Sequence, residues 1–137
     1  MNLNERNRNP CNIRTGGKKF KGEIGEEQGF IKFESMRYGY RAAFLTLITY
    51  RKKGLNTIRK IINRWAPPNE NQTVEYIKAV VTKTDLDADQ RITTPRHYYW
   101  IVRAMALIEG LHSNDHDAVG EAYEEIKDKL IKTINEN

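Results

Sequence analysis

The chain has 137 residues, of which 39% are hydrophobic, 30% charged and 9% aromatic. This length suits one compact domain and is too short for two ordinary ones, and the composition excludes a collagen-like, low-complexity or wholly disordered chain. The longest uncharged stretches fall far short of the roughly 18 apolar residues that a membrane span needs. A single cysteine, Cys11, excludes an internal disulfide framework and a cysteine-based zinc site. We therefore expect one soluble domain over residues 1–137, with no membrane insertion.

The charge is unevenly distributed along the chain. Residues 1–64 carry 15 Lys and Arg against 5 Asp and Glu, a net charge of +10, whereas residues 65–137 carry 8 against 13, a net charge of −5. A basic half suits a polyanionic partner such as nucleic acid, an acidic cell-wall polymer or a phospholipid surface. The first ten residues are rich in Asn and lack an apolar stretch, so they predict no secretory signal and a cytoplasmic protein as synthesised. We expect residues 1–8 to be flexible.

Glycine and short apolar pieces predict a small hairpin in the first quarter of the chain. Glycine occurs at positions 16, 17, 22, 25 and 29, between hydrophobic residues at 20, 24, 30, 31 and 33. We place its strands near Lys18–Glu23 and Phe30–Phe33.

Helical spacing of apolar residues follows the hairpin, and it predicts about five helices. The predicted caps or starts are Ser35, Asn56, either Asn71 or Thr73, Thr94 before Pro95, and Asp117. The predicted ends of the first, second, fourth and fifth helices lie near Gly54, before Pro67, near Gly110 and at Ile134, and the third helix turns Val74, Ile77, Val80 and Val81 inward. The predicted fold class is α+β and mostly helical.

Glu109 is the first candidate for a catalytic residue. It follows Met105 by four residues and Val102 by seven, which turns it toward the apolar face of its helix. Burial against apolar groups raises a carboxyl pKa and keeps the group protonated, as a general acid requires. The alternative is a helix-end glutamate at the margin of the core.

Other residues could assist a carboxylate or bind sugar rings. The hairpin supplies Glu23, Glu26 and Glu27, for which solvated turn positions are the simpler interpretation. The aromatic candidates are Trp65, Tyr76, Tyr98, Tyr99 and Trp100. Spacing places Trp65 and Tyr98 on the apolar faces of their helices, so core packing explains these two residues as well as sugar binding does. Tyr99 lies one residue beyond the apolar face of its helix and is therefore the freer candidate for sugar binding.

Three other kinds of site are not favoured. His112 and His116 are spaced as a helical pair, but no HExxH pattern or third ligand lies nearby, and Asn114 and Asp115 predict a turn. The glycines before Lys18 lack the spacing of a phosphate-binding loop. Cys11 has no His partner by spacing. We therefore expect no metal and no cofactor.

The segment Asn7–Arg14 reads NRNPCNIR, and it resembles the NNPGNIR opening of a family of small phage and prophage proteins often described as virion structural proteins. The resemblance covers residues 7 to about 110, and the RWAPPxEN motif is its most specific part. The other matching segments are Gly29–Ser35, Gly39–Ala42, Leu55–Ile58, Ile61–Asn71 and Thr73–Ile77. Cys11 replaces a usual glycine and Phe20 a common tryptophan. The last segment, residues 114–137, has no counterpart and is expected to form an added helix.

This family in turn resembles the lysozyme-like peptidoglycan hydrolases of glucosaminidase and lytic transglycosylase type. In those enzymes a catalytic glutamate ends a helix and is followed by an Asn-containing segment and an acidic hairpin. Here the helix that ends at Glu109 comes after both. The resemblance therefore implies a lysozyme-like domain that is circularly permuted.

The resemblance also implies roles for individual residues. Glu109 would act as general acid and then base on a β-1,4 bond of peptidoglycan, assisted by Glu26 or Glu23. Tyr76 and Trp65 would line the glycan groove. Asn12 and Arg14 would hold the hairpin near Glu109.

Two rival functions remain. One is a non-catalytic virion or tail structural protein with the same fold, which would bind other virion proteins. The other is a nucleic-acid-binding module, supported only by the basic first half and therefore disfavoured. An enzyme of this class would act at the cell wall or periplasm, either after release or as part of a phage particle.

Overall fold

The computed structural model describes residues 1–69, 72–112 and 116–137, with the side chain of His116 excepted. This part of the chain contains six helices and one two-stranded antiparallel sheet, which confirms the α+β, mostly helical class. In chain order the elements are α1 (Leu3–Arg6), β1 (Glu23–Glu27), β2 (Phe30–Phe33), α2 (Met36–Lys52), α3 (Ile58–Trp65), α4 (Thr73–Thr84), α5 (Pro95–Ile108) and α6 (His116–Glu136). None of the described helices is long and apolar enough to cross a membrane.

Two helix starts follow the predicted capping chemistry, and two differ. Ser35 caps α2 and Thr94 caps α5, each accepting a backbone N–H bond three residues on. Thr57, rather than Asn56, caps α3, because its hydroxyl accepts the N–H of Lys60 at 3.2 Å. In α4 the predicted cap Thr73 is instead the first helical residue, and Gln72 holds the cap position without a side-chain bond. The predicted cap Asn71 and the predicted turn at residues 114 and 115 lie outside the described residues.

The first strand begins later than predicted. β2 has the expected bounds, whereas β1 covers Glu23–Glu27 and not Lys18–Glu23. The Glu23 carboxylate accepts the N–H of Phe20 at 2.5 Å, and the Glu23 N–H bonds back to the Phe20 carbonyl. This local turn occupies residues 20–23, and strand pairing starts at Glu23, opposite Phe33, although the carbonyl of Gly22 still accepts the N–H of Glu34 at 2.9 Å.

The core of the domain forms where α6 packs along α2. Phe44 of α2 meets Tyr123 of α6 with ring centroids 6.0 Å apart, and both rings are buried. At the margin, Glu125 accepts hydrogen bonds from Arg37 and Arg41. α6, expected from the sequence over Asp117–Ile134, thus contributes directly to the core.

The N-terminal residues pack against the rest of the domain. Residues 1–8, for which the sequence predicts flexibility, include α1, and the side chains of Asn4 and Asn7 are buried. The Asn4 amide donates to the carbonyl of Pro10 at 3.0 Å. This packing positions the segment that follows, residues 9–14.

Gly39 permits the close contact between α2 and the N-terminal segment. A Cβ at this position would overlap the backbone carbonyl of Arg8 and the ring of Pro10. We expect Gly39→Ala to lower the free energy of unfolding by about 1–3 kcal/mol, because overpacking outweighs the better helix propensity of alanine. Urea unfolding measures the change.

Gly120→Ala is the matched control. Gly120 lies within α6 with open space around its Cα, so alanine there should stabilise the protein by about 0.5–1 kcal/mol. Equal effects of the two substitutions would contradict the proposed close contact at Gly39.

Candidate active site

Glu109 lies at the C-terminal end of α5. It is the residue after Ile108, and its backbone N–H still bonds to the carbonyl of Met105 at 2.9 Å. Gly110 follows with a φ of +116°, a conformation that favours glycine and ends the helix. The glutamate is half-buried, as its predicted place at the edge of the apolar face requires.

Two side chains from distant parts of the chain hold the Glu109 carboxylate. The Asn12 amide donates to Oε1 at 3.0 Å, and the Tyr76 hydroxyl donates to Oε2 at 3.0 Å. The structure therefore brings together three of the residues predicted from the sequence. Each comes from a different element: α5, α4 and the segment before the hairpin.

Hydrogen bonds of the buried Asn9 side chain fix the position of Asn12. The Asn9 side chain accepts the backbone N–H of Ile13 at 2.9 Å and donates to the carbonyls of Ile13 and Ile31. The Asn12 N–H closes a turn onto the Asn9 carbonyl at 3.0 Å. Asn12 itself has a φ of +54°, the left-handed conformation that asparagine tolerates better than most residues. This turn directs the Asn12 amide to Glu109.

Burial keeps Tyr76 protonated. It raises the pKa of the phenol well above its ordinary value of 10, and the neighbouring charge of Glu109 raises it further. Because the neutral hydroxyl retains its proton, it remains a hydrogen-bond donor to Oε2 of Glu109 throughout the physiological pH range.

The thiol of Cys11 lies beneath the same site. It is fully buried and bonds weakly to the carbonyl of Val102 at 3.8 Å. Burial, with a smaller effect of Glu109, raises the pKa of the thiol well above its ordinary value. A thiol that stays protonated is a poor nucleophile, which agrees with a packing role.

Glu109 opens into a cleft of about 380 Å³. The cleft is lined by Asn12, Ile13, Arg14, Phe30, Thr46, Tyr50, Trp65, Ala66 and Glu109. The rings of Tyr50 and Trp65 meet edge to face at 6.3 Å, and the Arg14 guanidinium lies 4.8 Å from the centre of the Phe30 ring. The cleft thus combines one carboxylate, one cation and three aromatic side chains.

The sequence analysis did not single out Tyr50, Phe30 or Thr46 for this cleft. Thr46 and Tyr50 are four residues apart on α2, so they share one helical face. The spacing alone could have indicated that Thr46 and Tyr50 lie side by side. Only the fold shows that this face of α2 lies next to Trp65 and Glu109.

The remaining predicted residues lie elsewhere. Glu23 and Glu26 border a separate depression beside the glycines and lysines of residues 15–19, which Glu109 does not line. Tyr99 packs against Trp100 and Tyr123, with centroids 5.1 and 5.2 Å away, in the region between α5 and α6. Glu109 is the only carboxylate among the described residues that line its cleft.

No cluster of three or more His, Cys, Asp or Glu suited to a metal occurs in the ranges 1–69, 72–112 and 116–137. The side chain of His116, one member of the predicted histidine pair, lies outside the described residues.

Comparison with known proteins relates almost the whole domain to one bacteriophage protein. No family model matches the chain. The chain is 35% identical to Protein P5 of Pseudoalteromonas phage PM2 over 126 aligned residues, which cover 87% of this chain and 78% of the relative. The match extends well beyond any single motif.

Replacing the carboxylate should change the titration of Tyr76. In Glu109→Gln the pKa of Tyr76 should fall, because the negative charge is lost, yet remain above 10 because burial is the larger cause. NMR of ring-labelled tyrosine follows the change, with Tyr76→Phe used to assign the resonance. An unchanged pKa of Tyr76 would contradict the Tyr76–Glu109 contact.

Proposed function

The chain belongs to the family of Protein P5 of Pseudoalteromonas phage PM2, and we propose that it is a peptidoglycan-cleaving glycosidase of phage or prophage origin. The observation that carries the proposal is the Glu109 carboxylate, held by Asn12 and Tyr76 at the wall of an aromatic cleft. Its substrate would be the β-1,4-linked glycan strand. The reaction would be that of a muramidase, glucosaminidase or lytic transglycosylase.

Glu109 is the proposed general acid. In its protonated form it would donate to the glycosidic oxygen as the bond to the sugar carbon breaks. As a carboxylate it would then take a proton from the attacking hydroxyl, either water or a hydroxyl of the same sugar. Asn12 and Tyr76 would fix the direction of the carboxylate through both steps, since each bonds a different oxygen.

The positive charge that develops on the sugar in the transition state needs a nucleophilic or negatively charged group to stabilise it. No second carboxylate lines the cleft within the described residues. We propose that the acetamido group of the amino sugar is this stabilising group, as in substrate-assisted glycosidases. The part predicted for Glu26 or Glu23 stays a prediction, and the assay below tests it at Glu26.

The relative placement of the elements supports a lysozyme-like, circularly permuted arrangement. The helix that ends at Glu109 comes late in the chain, yet Glu109 bonds to Asn12 of the early segment. Phe30 of the hairpin lines the same cleft. These contacts support the neighbouring placement of glutamate, Asn segment and hairpin that the sequence resemblance implies.

The matched substitutions Glu109→Gln and Glu26→Gln test the catalytic assignment. Glu109→Gln should abolish lysis of permeabilised Gram-negative cell walls, with a rate loss of about 10³-fold or more, because amide cannot donate the required proton. Glu26→Gln should retain lysis, since Glu26 is exposed and lies outside the cleft. Turbidity is recorded after circular dichroism has shown that each variant is folded.

Each other outcome has a definite meaning. Equal lysis by the wild type and Glu109→Gln would refute the assignment of Glu109. A loss in Glu26→Gln as large as that in Glu109→Gln would instead establish the predicted second carboxylate.

Trp65 should contribute to glycan binding. Trp65→Ala removes an aromatic wall of the cleft, and we expect the KM for glycan strands to rise about 10-fold, the equivalent of about 1.4 kcal/mol. Trp100→Ala is the control, because Trp100 is 42% exposed on α5 and does not line the cleft. Similar effects of both substitutions would argue against glycan in this cleft.

A non-catalytic virion or tail protein is the second candidate. Its structural support is the exposed apolar surface of α5, where Trp100 and Leu107 are 42% and 43% exposed and could contact other virion proteins. Folded wild-type protein that lyses no cell wall would favour this function. In either case the protein would act with the phage particle or at the cell wall.

A further inference from the structure

A second pocket adjoins the cleft of Glu109. It has a volume of about 280 Å³ and lies between the segment of residues 13–20, α2 and α6. Its lining residues are Ile13, Arg14, Gly17, Lys18, Phe20, Leu45, Thr46, Ile48, Thr49, Lys52 and Lys129. Three of these, Ile13, Arg14 and Thr46, also line the Glu109 cleft. The two spaces therefore share a wall.

The chemistry of this pocket differs from that of the cleft. Four apolar side chains form part of its lining: Ile13, Phe20, Leu45 and Ile48. Four exposed cations also line it, and they come from three parts of the chain: Arg14 and Lys18 from the segment before β1, Lys52 from α2 and Lys129 from α6. No carboxylate is among the described lining residues. The pocket is therefore apolar and positively charged at the same time.

These cations are not neutralised within the described ranges. The ion pairs there involve Arg6, Lys19, Lys32, Arg37, Arg41 and Arg59, but none of the four pocket cations. Like charges collected around a partly enclosed space raise the local concentration of an anionic ligand. The ligand that suits this pocket carries carboxylates and small apolar groups.

We infer that this pocket binds the short peptide that branches from the glycan strand, an inference that rests on the proposed function. Peptidoglycan peptides carry free carboxylates and alanine methyl groups, which match the lysines and the apolar lining respectively. The shared wall places such a branch beside the sugar held near Glu109. The substrate class is thus peptide-bearing rather than bare glycan.

A nucleic-acid backbone fits the pocket less well. Its phosphates would satisfy the lysines, but they would leave the half-buried side chains of Phe20 and Leu45 without an apolar ligand group, whereas Ile13 and Ile48 already pack in the core. A binding site for a duplex is also an extended basic surface, whereas this pocket is of single-ligand size.

The test measures KM and kcat of charge-reversal variants on two substrates. Glycan strands are used either with their peptides or after an amidase has removed them. Lys52→Glu and Lys129→Glu, singly and combined, should each raise the KM for peptide-bearing strands, about 10-fold per charge, with kcat unchanged and no effect on bare strands. Lys53→Glu, the same charge change one residue beyond α2, lies outside the pocket and should have no effect. An equal rise in KM on both substrates would overturn the inference.

A binding measurement separates this inference from the proposed catalysis. Calorimetry with folded Glu109→Gln uses a disaccharide with its peptide and the same disaccharide without it. Tighter binding of the peptide-bearing form, lost in Lys52→Glu and kept in Lys53→Glu, would support the pocket even if the wild type cleaves nothing. Equal affinities would refute it, as would duplex DNA binding that depends on Lys52 without any binding of the peptide-bearing fragment.

Discussion

A single buried amide, that of Asn9, sets the position of the segment that brings Asn12 to the candidate site. Its three hydrogen bonds join the segment before the hairpin to itself and to β2, through the backbone of Ile13 and Ile31. Because Asn9 is fully buried, a lost partner would leave a polar group unsatisfied, which costs about 1–3 kcal/mol. The turn that follows directs Asn12 to Glu109. The N-terminal segment is also tied directly to the end of α5, where the amides of Asn2 and Asn4 donate to the carbonyls of Gly110 and Ala106.

The site is consequently a meeting point of separate elements, each held by a different part of the fold. The N-terminal segment supplies Asn12, α4 supplies Tyr76 and α5 supplies Glu109, while the α2–α6 pair forms the scaffold beneath them. Hydrogen bonds from two neutral donors orient the carboxylate. The aromatic cleft and the basic pocket beside it share Arg14. The sugar and the peptide attached to it would therefore bind at adjoining surfaces.

The sequence predicted the fold class and the place of Glu109 because both depend on local periodicity. The spacing from Met105 was enough to turn the glutamate toward the core edge, and a helix end near Gly110 was also predicted, two residues beyond Ile108, where α5 ends. It could not show that Tyr76 bonds to Glu109, since that contact requires the docking of α4 on α5. The first strand was misplaced for a related reason: the side chain of Glu23 closes a turn onto Phe20, which alternation of apolar residues does not reveal.

The most direct test of glycan cleavage is mass spectrometry of purified peptidoglycan after incubation with the folded protein. The account predicts fragments with new reducing or anhydro-sugar ends, formed by the wild type and absent with Glu109→Gln. The same fragments from both proteins would show that Glu109 is not the catalytic acid. No fragments from folded wild-type protein would contradict glycosidase function and leave a structural role in the phage particle.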